Sequence, residues 1–169
     1  MRLAAIDIGS NAARLLISEV MIRNNGEPEF LKLNLVRVPL RLGFDVFESG
    51  QISPEKTEMI LQTIKAYKHL LRAYDVKHVK ACATSAMRDA SNAAEIIKKV
   101  KSDTGIEIEV LTGDLEAGMI YENHIAENIQ IKIPCNLYLN DIRLYFQTNN
   151  LLTTEDLLWA HQAPGMMRR

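Results

Sequence analysis

The chain has 169 residues, 47% hydrophobic and 24% charged, which is typical of one soluble globular domain with or without an appendage. Its 20 Lys and Arg against 21 Asp and Glu show no charge bias toward a nucleic acid or a membrane surface. Two cysteines, Cys82 and Cys135, do not make a disulfide framework, and no apolar run reaches the roughly 20 residues of a transmembrane helix. We therefore expect a cytoplasmic protein without nucleic-acid or membrane partners, in which Cys82 is a buried reduced thiol.

The first forty residues predict three strands joined by short turns. Residues 3–8 are a short apolar run that ends at Gly9, and residues 15–22 are a second apolar run. Residues 24–26, Asn-Asn-Gly, give a strong turn signal. Beyond them, residues 31–35 alternate between leucine and polar side chains, which is the period of a half-exposed strand. These patterns predict an antiparallel meander.

The clearest helix of the sequence begins at Ser53-Pro54, where a capping side chain is followed by a proline at the first helical position. Apolar residues then recur at spacings of three and four on one face: Ile60, Ile64, Tyr67, Leu71 and Tyr74. The pattern predicts an amphipathic helix that packs on the sheet.

The remaining elements alternate in type. A strand at residues 79–83 precedes a helix that Ser91 or Asn92 could cap and that Gly105 ends. Its inward side chains are Ala93, Ile96, Ile97 and Val100. A strand at residues 106–111 and a helix at residues 114–128 follow. The order β-β-β-α-β-α-β-α predicts an α/β fold, a ribonuclease-H-like lobe with helices on a mixed sheet.

Polar residues follow the first strand, in the segment Asp7-Ile8-Gly9-Ser10-Asn11. A glycine in a tight turn lets backbone N–H groups approach an anion, and the Ser10 and Asn11 side chains add donors. The Asp7 carboxylate could hold Mg²⁺ or orient an attacking water. The alternative is a simple hairpin turn with Asp7 bonded to its own loop.

Three further segments carry candidate residues. After the strand at 79–83, Ser85 offers a hydroxyl and Arg88 a bidentate donor for phosphate oxygens, or else an N-cap and a solvated arginine. At the start of the last helix, Glu116 could be a general base for water or only a residue favoured by the helix dipole. In residues 37–43, Arg37 and Arg41 could contact an anionic chain or lie on an exposed strand edge. The four histidines have no metal-ligand spacing and are interpreted as surface or boundary residues.

Together, four segments resemble the Ppx/GppA family, the exopolyphosphatases and guanosine pentaphosphate phosphohydrolases. They are residues 5–17 (AIDIGSNAARLLI), 38–43 (VPLRLG), 83–92 (ATSAMRDASN) and 108–121 (IEVLTGDLEAGMIY). The resemblance implies a lobe of the actin-like ATPase superfamily, in which two ribonuclease-H-like lobes clasp a phosphate chain. It covers residues 1–128.

The resemblance also implies roles for individual residues. Residues 7–11 would be the first phosphate loop, with Gly9, Ser10 and Asn11 against the phosphate. Arg88 would clamp phosphate, Glu116 would activate water, and Asp7 would lie in the Mg²⁺ or water network. The implied reaction is Mg²⁺-assisted attack of water on a terminal phosphoryl group of polyphosphate or guanosine pentaphosphate, with release of orthophosphate.

The sequence departs from the family pattern after residue 128. The family's second phosphate loop is an Asp followed by several glycines and Ser-Thr-Glu, whereas residues 136–145 here are bulky and contain no glycine. No glycine occurs between Gly118 and Gly165. We interpret residues 129–169 as a divergent tail, as truncation or a frame shift near residue 129 would produce, and the sequence leaves open whether this tail is ordered.

Three functions remain open on these grounds. The chain could be a phosphohydrolase, a non-catalytic module or inactive remnant that binds polyphosphate or an alarmone, or a kinase-like lobe that uses ATP. The missing second loop counts against the hydrolase and the kinase alike, while Glu116 favours the hydrolase over the kinase. The inner face of a lobe without its opposite half should be apolar, so we expect self-association, for example as a homodimer.

Overall fold

The computed structural model describes residues 1–23 and 28–113 of the chain, and in that part a mixed sheet is covered by helices. The strands are β1 (Arg2–Ile8), β2 (Ala12–Ile22), β3 (Pro28–Pro39), β4 (His78–Ala83) and β5 (Ile108–Val110); the helices are α1 (Leu42–Ser49), α2 (Pro54–Ala73), α3 (Ser85–Asp89) and α4 (Ala93–Thr104). The strand order is β3-β2-β1-β4-β5. β1 pairs antiparallel with β2 and parallel with β4, which confirms the predicted meander and the α/β class.

The core lies between one face of the sheet and the helices α2 and α4. Alternate residues of β1, Ala4, Ile6 and Ile8, belong to this cluster, as the two-residue period of a strand requires. The predicted apolar face of α2 is buried at Ile60, Ile64, Tyr67 and Leu71, while Tyr74 is half-buried at the helix end. On α4 the inward residues are Ala93, Ile96 and Val100, with Ile97 half-buried. Ser53 caps α2 as predicted, accepting a hydrogen bond from Lys56 N at 3.3 Å.

The element order differs from the prediction because two short helices, α1 and α3, were not anticipated. For residues 37–43 an exposed strand edge is one of the two alternatives, and only residues 37–39 are strand, because β3 ends at Pro39 and α1 begins at Leu42. Helix α1 has eight residues and buries only Leu42, and α3 has five residues. Neither is long enough to show the apolar period by which a helix is recognised in a sequence.

Two local predictions are confirmed only in part. Asn92 precedes α4 as its N-cap residue, but its side chain makes no capping hydrogen bond and is instead bonded to the backbone of Ile52. Strand β5 covers only three residues, shorter than the predicted 106–111, because Thr104 Oγ1 accepts a hydrogen bond from Ile106 N at 3.1 Å and keeps that residue in the helix-ending turn. Gly105 ends α4 in the left-handed region, with φ 76°, as expected.

Several predictions fall partly or wholly outside the described residues. The turn at residues 24–26, the helix at 114–128, Glu116, Cys135 and the tail from residue 129 belong to the parts that the structure does not describe. Within the described ranges His69 is exposed and His78 half-buried, as expected for surface and boundary residues. In the same ranges no helix has the length and apolar character needed to cross a membrane.

Candidate functional site

The candidate residues that the structure describes lie near the end of the sheet at which the parallel strands β1, β4 and β5 have their carboxyl ends. Backbone hydrogen bonds connect these strand ends. Thr84 N donates to Ile8 O at 3.1 Å, and Leu111 N donates to Ala83 O at 2.9 Å. Ligands of open α/β sheets bind outside the carboxyl ends of such strands, so this edge is where a site is expected.

A tight turn connects β1 to β2 at this edge. Gly9 N donates to Ala12 O at 3.0 Å, which leaves Ser10 and Asn11 at the tip. The N–H groups of Ser10 and Asn11 donate to no other residue of the described ranges. A Cβ added at Gly9 would meet Ala12 O at 3.6 Å, an ordinary contact, so the protein itself does not require glycine there. The open space beside Gly9 therefore lies next to the unused N–H groups of Ser10 and Asn11.

The turn is held from behind by the segment that connects β3 to α1. Asn11 O accepts hydrogen bonds from Leu40 N at 3.0 Å and Arg41 N at 2.9 Å, and Ser10 O accepts one from Gly43 N at 2.9 Å. A Cβ on Gly43 would lie 3.4 Å from Ser10 Cβ, at the short limit of an ordinary contact, so the two segments pack closely here. Since both turn carbonyls point toward this segment, the conformation of the turn is fixed before any ligand binds.

Arg41 reaches this position in an unusual backbone conformation. Its φ of 56° and ψ of 42° are left-handed, a region that costs a non-glycine residue roughly 1–2 kcal/mol. The conformation turns the chain from β3 into α1 and leaves the Arg41 side chain exposed beside the turn.

The hydroxyl groups of Ser10 and Ser85 connect the turn to the first residue of α3. The two Oγ atoms are 2.7 Å apart, a hydrogen bond in which either can donate. Their sequence positions differ by 75 residues, so the contact depends on the parallel pairing of β1 with β4. The structure thus brings Ser10, Asn11, Arg41 and Ser85 into one cluster.

Asp7 lies one residue before the end of β1, on the sheet face opposite the main core. Its Oδ2 atom is 3.9 Å from Nη1 of Arg14, its cross-strand partner on β2. Its partner on β4 is Cys82, a free thiol that is half-buried, whereas a buried one is expected from the sequence. Burial raises the pKa of Cys82 to about 11, with Glu109 and Asp7 adding to the rise and Lys80 opposing it, so this thiol is not an activated nucleophile.

Asp7 can be tested as a magnesium ligand from its donor set. Mg²⁺ takes oxygen ligands and is usually held by one or two carboxylates together with substrate phosphates and waters. Asp7 supplies one partly exposed carboxylate at the sheet edge. No cluster of three His, Cys, Asp or Glu residues occurs in ranges 1–23 and 28–113. The donor set fits an ion held jointly with substrate.

Arg88 lies one strand further along the edge. Its Nη1 atom donates to Leu111 O at 3.1 Å, and its Nε atom is 3.7 Å from Oδ1 of Asp89. These contacts connect α3 to the residue that follows β5. Arg88 therefore lies at the predicted end of the sheet, where it contacts Leu111 and Asp89.

Sequence reasoning did not find the backbone donors of residues 40–43, because N–H groups are present at almost every residue and carry no residue signature. Gly43 was the available signal, because an isolated glycine beside a strand often marks a position that another backbone segment approaches closely.

Comparison with known protein families shows which family the chain belongs to. A model of the Ppx/GppA phosphatase family matches residues 22–131, well over half of the chain. The chain belongs to this family. The matched range includes residues 38–43, 83–92 and 108–121, three of the four resembling segments, and begins after the Asp7–Asn11 segment.

Known Ppx/GppA structures agree with the architecture. A family member from Aquifex aeolicus superposes with a TM-score of 0.66 at 33% identity, over 76% of this chain and 40% of that one. An exopolyphosphatase from Cytophaga hutchinsonii gives a TM-score of 0.67 at 30% identity, over 78% of this chain and 40% of that one. The predicted ribonuclease-H-like fold of the actin-like ATPase superfamily is confirmed.

Curated relatives are longer than this chain. Exopolyphosphatase 1 of Mycobacterium tuberculosis is 29% identical over 121 residues, which is 72% of this chain and 34% of that protein. A bifunctional 3-dehydroquinate synthase/phosphatase of Fusobacterium nucleatum is 36% identical over 129 residues, 73% of this chain and 19% of that protein. The chain thus spans about a third of the exopolyphosphatase and a fifth of the bifunctional protein.

Proposed function

We propose that this chain carries the first phosphate-binding loop of a phosphohydrolase that releases orthophosphate from polyphosphate or guanosine pentaphosphate. The observation that carries the proposal is the Ser10–Asn11 turn. Its carbonyls are bonded to residues 40–43, its two N–H groups have no partner in the described ranges, and its hydroxyl meets that of Ser85 at 2.7 Å. A turn with unused donors and fixed carbonyls is an anion-binding arrangement.

Each residue has a role in this proposal. Gly9, Ser10 and Asn11 contact the phosphate through backbone and side-chain donors, while Ser85, Arg41 and Arg88 add donors from neighbouring segments. Glu116 orients and deprotonates the attacking water. Asp7 holds Mg²⁺, which when bound neutralises charge on the phosphate oxygens. Since water is the acceptor, the protein's contribution is positioning and charge neutralisation.

The first test is orthophosphate release from long-chain polyphosphate with Mg²⁺, measured for the chain and for Glu116→Gln. We expect release by the parent chain and a loss of at least about 100-fold in the variant, the size of a general-base contribution. Ser85→Ala serves as a second variant that weakens phosphate binding and leaves Glu116 in place. Equal release by the parent chain and Glu116→Gln would contradict the assigned role.

A binding module for polyphosphate or an alarmone is the second candidate. The observation in its favour is the absence of glycine from residues 136–145, where the family's second phosphate loop is expected. Bulky side chains there would prevent the backbone from approaching a phosphate. Tight binding of polyphosphate without orthophosphate release, by a chain shown to be folded, would favour this candidate over the hydrolase.

We also propose that the lobe ends near residue 128 and that residues 129–169 do not form part of it. The abrupt end of the family resemblance supports the boundary. Hydrogen exchange gives a direct test, since strong amide protection throughout residues 131–159 would contradict it. A cytoplasmic location is retained as a prediction of the composition.

A further inference from the structure

We propose that Arg37 on β3 is a second anion-binding position of the same site, used by a linear chain of phosphates that runs from the Ser10–Asn11 turn across β2. The inference rests on the proposed function for its substrate class. It adds a residue that would contact long polyphosphate chains but not short ones. It starts from the register of three neighbouring strands.

Three charged residues stand in one row across the sheet. Asp7 on β1 pairs with Arg14 on β2, and Arg14 pairs with Arg37 on β3. Directly opposite residues share a sheet face, so all three side chains lie on the face opposite the main core. Strands are spaced about 4.8 Å apart, which places Arg37 about 10 Å from Asp7.

Arg37 has no counter-charge among the described residues. The Arg14 guanidinium lies 3.9 Å from the single carboxylate of the row, that of Asp7. Arg37 is exposed and makes no ion pair or hydrogen bond through its side chain within residues 1–23 and 28–113. Like charges directly opposite each other destabilise an antiparallel pair. An anion bound at Arg37 would supply the counter-charge that this side chain lacks among residues 1–23 and 28–113.

Arg41 lies between this row of charged residues and the Ser10–Asn11 turn. Its N–H bonds to Asn11 O at 2.9 Å, and its exposed side chain makes no ion pair with a described residue. Arginines therefore occupy the second strand, the edge strand and the connection that follows it, all at one end of the sheet. This arrangement suits an anion that is extended rather than compact.

The chemistry of the row selects a class of ligand. Guanidinium groups bind phosphate oxygens through two parallel hydrogen bonds, and a polyphosphate carries negative charge on each unit. Arg37 pairs with Arg14, three residues along β2 from Asn11, which is about 10 Å at roughly 3.4 Å per residue. Orthophosphate or a short phosphate chain centred on the turn would not extend to it. A long chain would contact Arg37 while its end occupies the turn.

The test compares binding of long-chain polyphosphate and tripolyphosphate, each with Mg²⁺, to the full chain and to Arg37→Gln. We expect Arg37→Gln to weaken binding of the long chain by about five- to tenfold, as for one charge-assisted contact, and to leave tripolyphosphate binding within about twofold. Arg37 is exposed, so an unchanged unfolding midpoint checks that the variant is folded.

Lys32→Gln is the matched control. Lys32 is exposed on the same strand and the same face, opposite Ser18, and its replacement removes the same charge five residues from Arg37. An equal loss in Lys32→Gln, an equal loss for tripolyphosphate, or no loss in Arg37→Gln would each overturn the inference. Failure of the parent chain to bind polyphosphate would also overturn it. Arg37-dependent binding without orthophosphate release would uphold it and refute only the hydrolase proposal.

Discussion

At the scale of single residues, Tyr67 connects the helical layer to the sheet edge that carries the site. Its hydroxyl donates to Ala13 O at 3.0 Å, while its ring is buried in the core. Burial raises the pKa of Tyr67 to about 12, and the nearby Asp7 carboxylate adds to the rise. The Tyr67 hydroxyl therefore stays protonated and can donate its hydrogen bond to the backbone carbonyl of Ala13.

Tyr67→Phe should lower the free energy of unfolding by about 1–2 kcal/mol near neutral pH, because a buried hydrogen bond is lost. The effect should depend on pH. In the unfolded chain the tyrosine pKa is about 10, so the unfolded state releases its proton first, and the contribution of Tyr67 to stability is lost as the pH rises from about 10 to about 12. Urea unfolding at about pH 8 and about pH 11 measures both parts of the prediction.

Tyr74→Phe is the control for this prediction. Tyr74 is half-buried at the end of α2, and its hydroxyl accepts a hydrogen bond from Asn34 Nδ2 at 2.9 Å. Its replacement should cost less, because its hydrogen bond is only partly buried. A Tyr67→Phe variant with the same pH dependence as the parent chain would contradict the assignment.

The left-handed conformation of Arg41 gives the second residue-scale prediction. Arg41→Gly should leave the unfolding free energy within about 1 kcal/mol, since glycine relieves the strain but adds freedom to the unfolded chain. Arg41→Val should cost about 1–2 kcal/mol, because a β-branched side chain is disfavoured at positive φ. Denaturant unfolding of the two variants tests this order. Arg41→Gly also separates the guanidinium from the fold, so any loss of phosphate binding in it reports the side chain alone.

At the scale of elements, the start of α4 is joined to the loop before α2 by one amide side chain. Asn92 Oδ1 accepts a hydrogen bond from Ile52 N at 3.0 Å, and Asn92 Nδ2 donates to Ile52 O at 2.8 Å. Asp45 Oδ2 fixes the same loop by accepting from Ser53 N at 2.9 Å, and the hydrogen bonds from Ser53 lower the pKa of the Asp45 carboxyl. The loop is therefore held from both sides.

Asn92→Ala should destabilise the protein by about 1–3 kcal/mol, because both backbone groups of Ile52 lose their partner. Asn92→Asp should also destabilise it, since a carboxylate can accept from Ile52 N but cannot donate to Ile52 O. Thermal unfolding gives the measurement. The neighbouring Ser91→Ala, which removes one exposed bond to Gly50 O, should have a small effect, and an equal cost in both alanine variants would contradict the role of Asn92.

At the scale of the whole molecule, α1 exposes two aromatic side chains close to the candidate site. Phe44 is 75% and Phe47 is 96% exposed, while α1 contacts the turn through Gly43. The chain spans about 40% of the solved family members that it resembles. Exposed aromatic pairs of this kind are typical of surfaces that bind another protein surface.

We expect this surface to drive the self-association inferred from the sequence. Sedimentation velocity at increasing concentration should show dimers or larger species for the parent chain and a shift to monomer for Phe44→Ser with Phe47→Ser. Val79→Ser is the control, because Val79 is an exposed apolar residue near the start of β4, at the opposite end of the strand from the site. A monomeric parent chain at high concentration would refute the expectation.

The sequence by itself determined the class of fold, the meander, the main helix and the family. These features depend on local signals: two-residue and 3.6-residue apolar periods, the Ser53 cap, the Gly105 stop and four motifs in order. Each signal depends on residues that are close in sequence, so it can be recognised without the rest of the chain. The short helices α1 and α3 carry no such period, which is why they were not predicted.

Only the tertiary structure decided which of the candidate residues contact one another. The Ser10–Ser85 bond, the N–H groups of residues 40–43 behind the turn, and the Asp7–Arg14–Arg37 row depend on strand order and register. Long-range geometry also explains why the Asn92 side chain forms hydrogen bonds with the backbone of Ile52 and does not cap its own helix. Such contacts join residues far apart in the chain, and no local preference specifies them, because their free energy arises only when the sheet has formed.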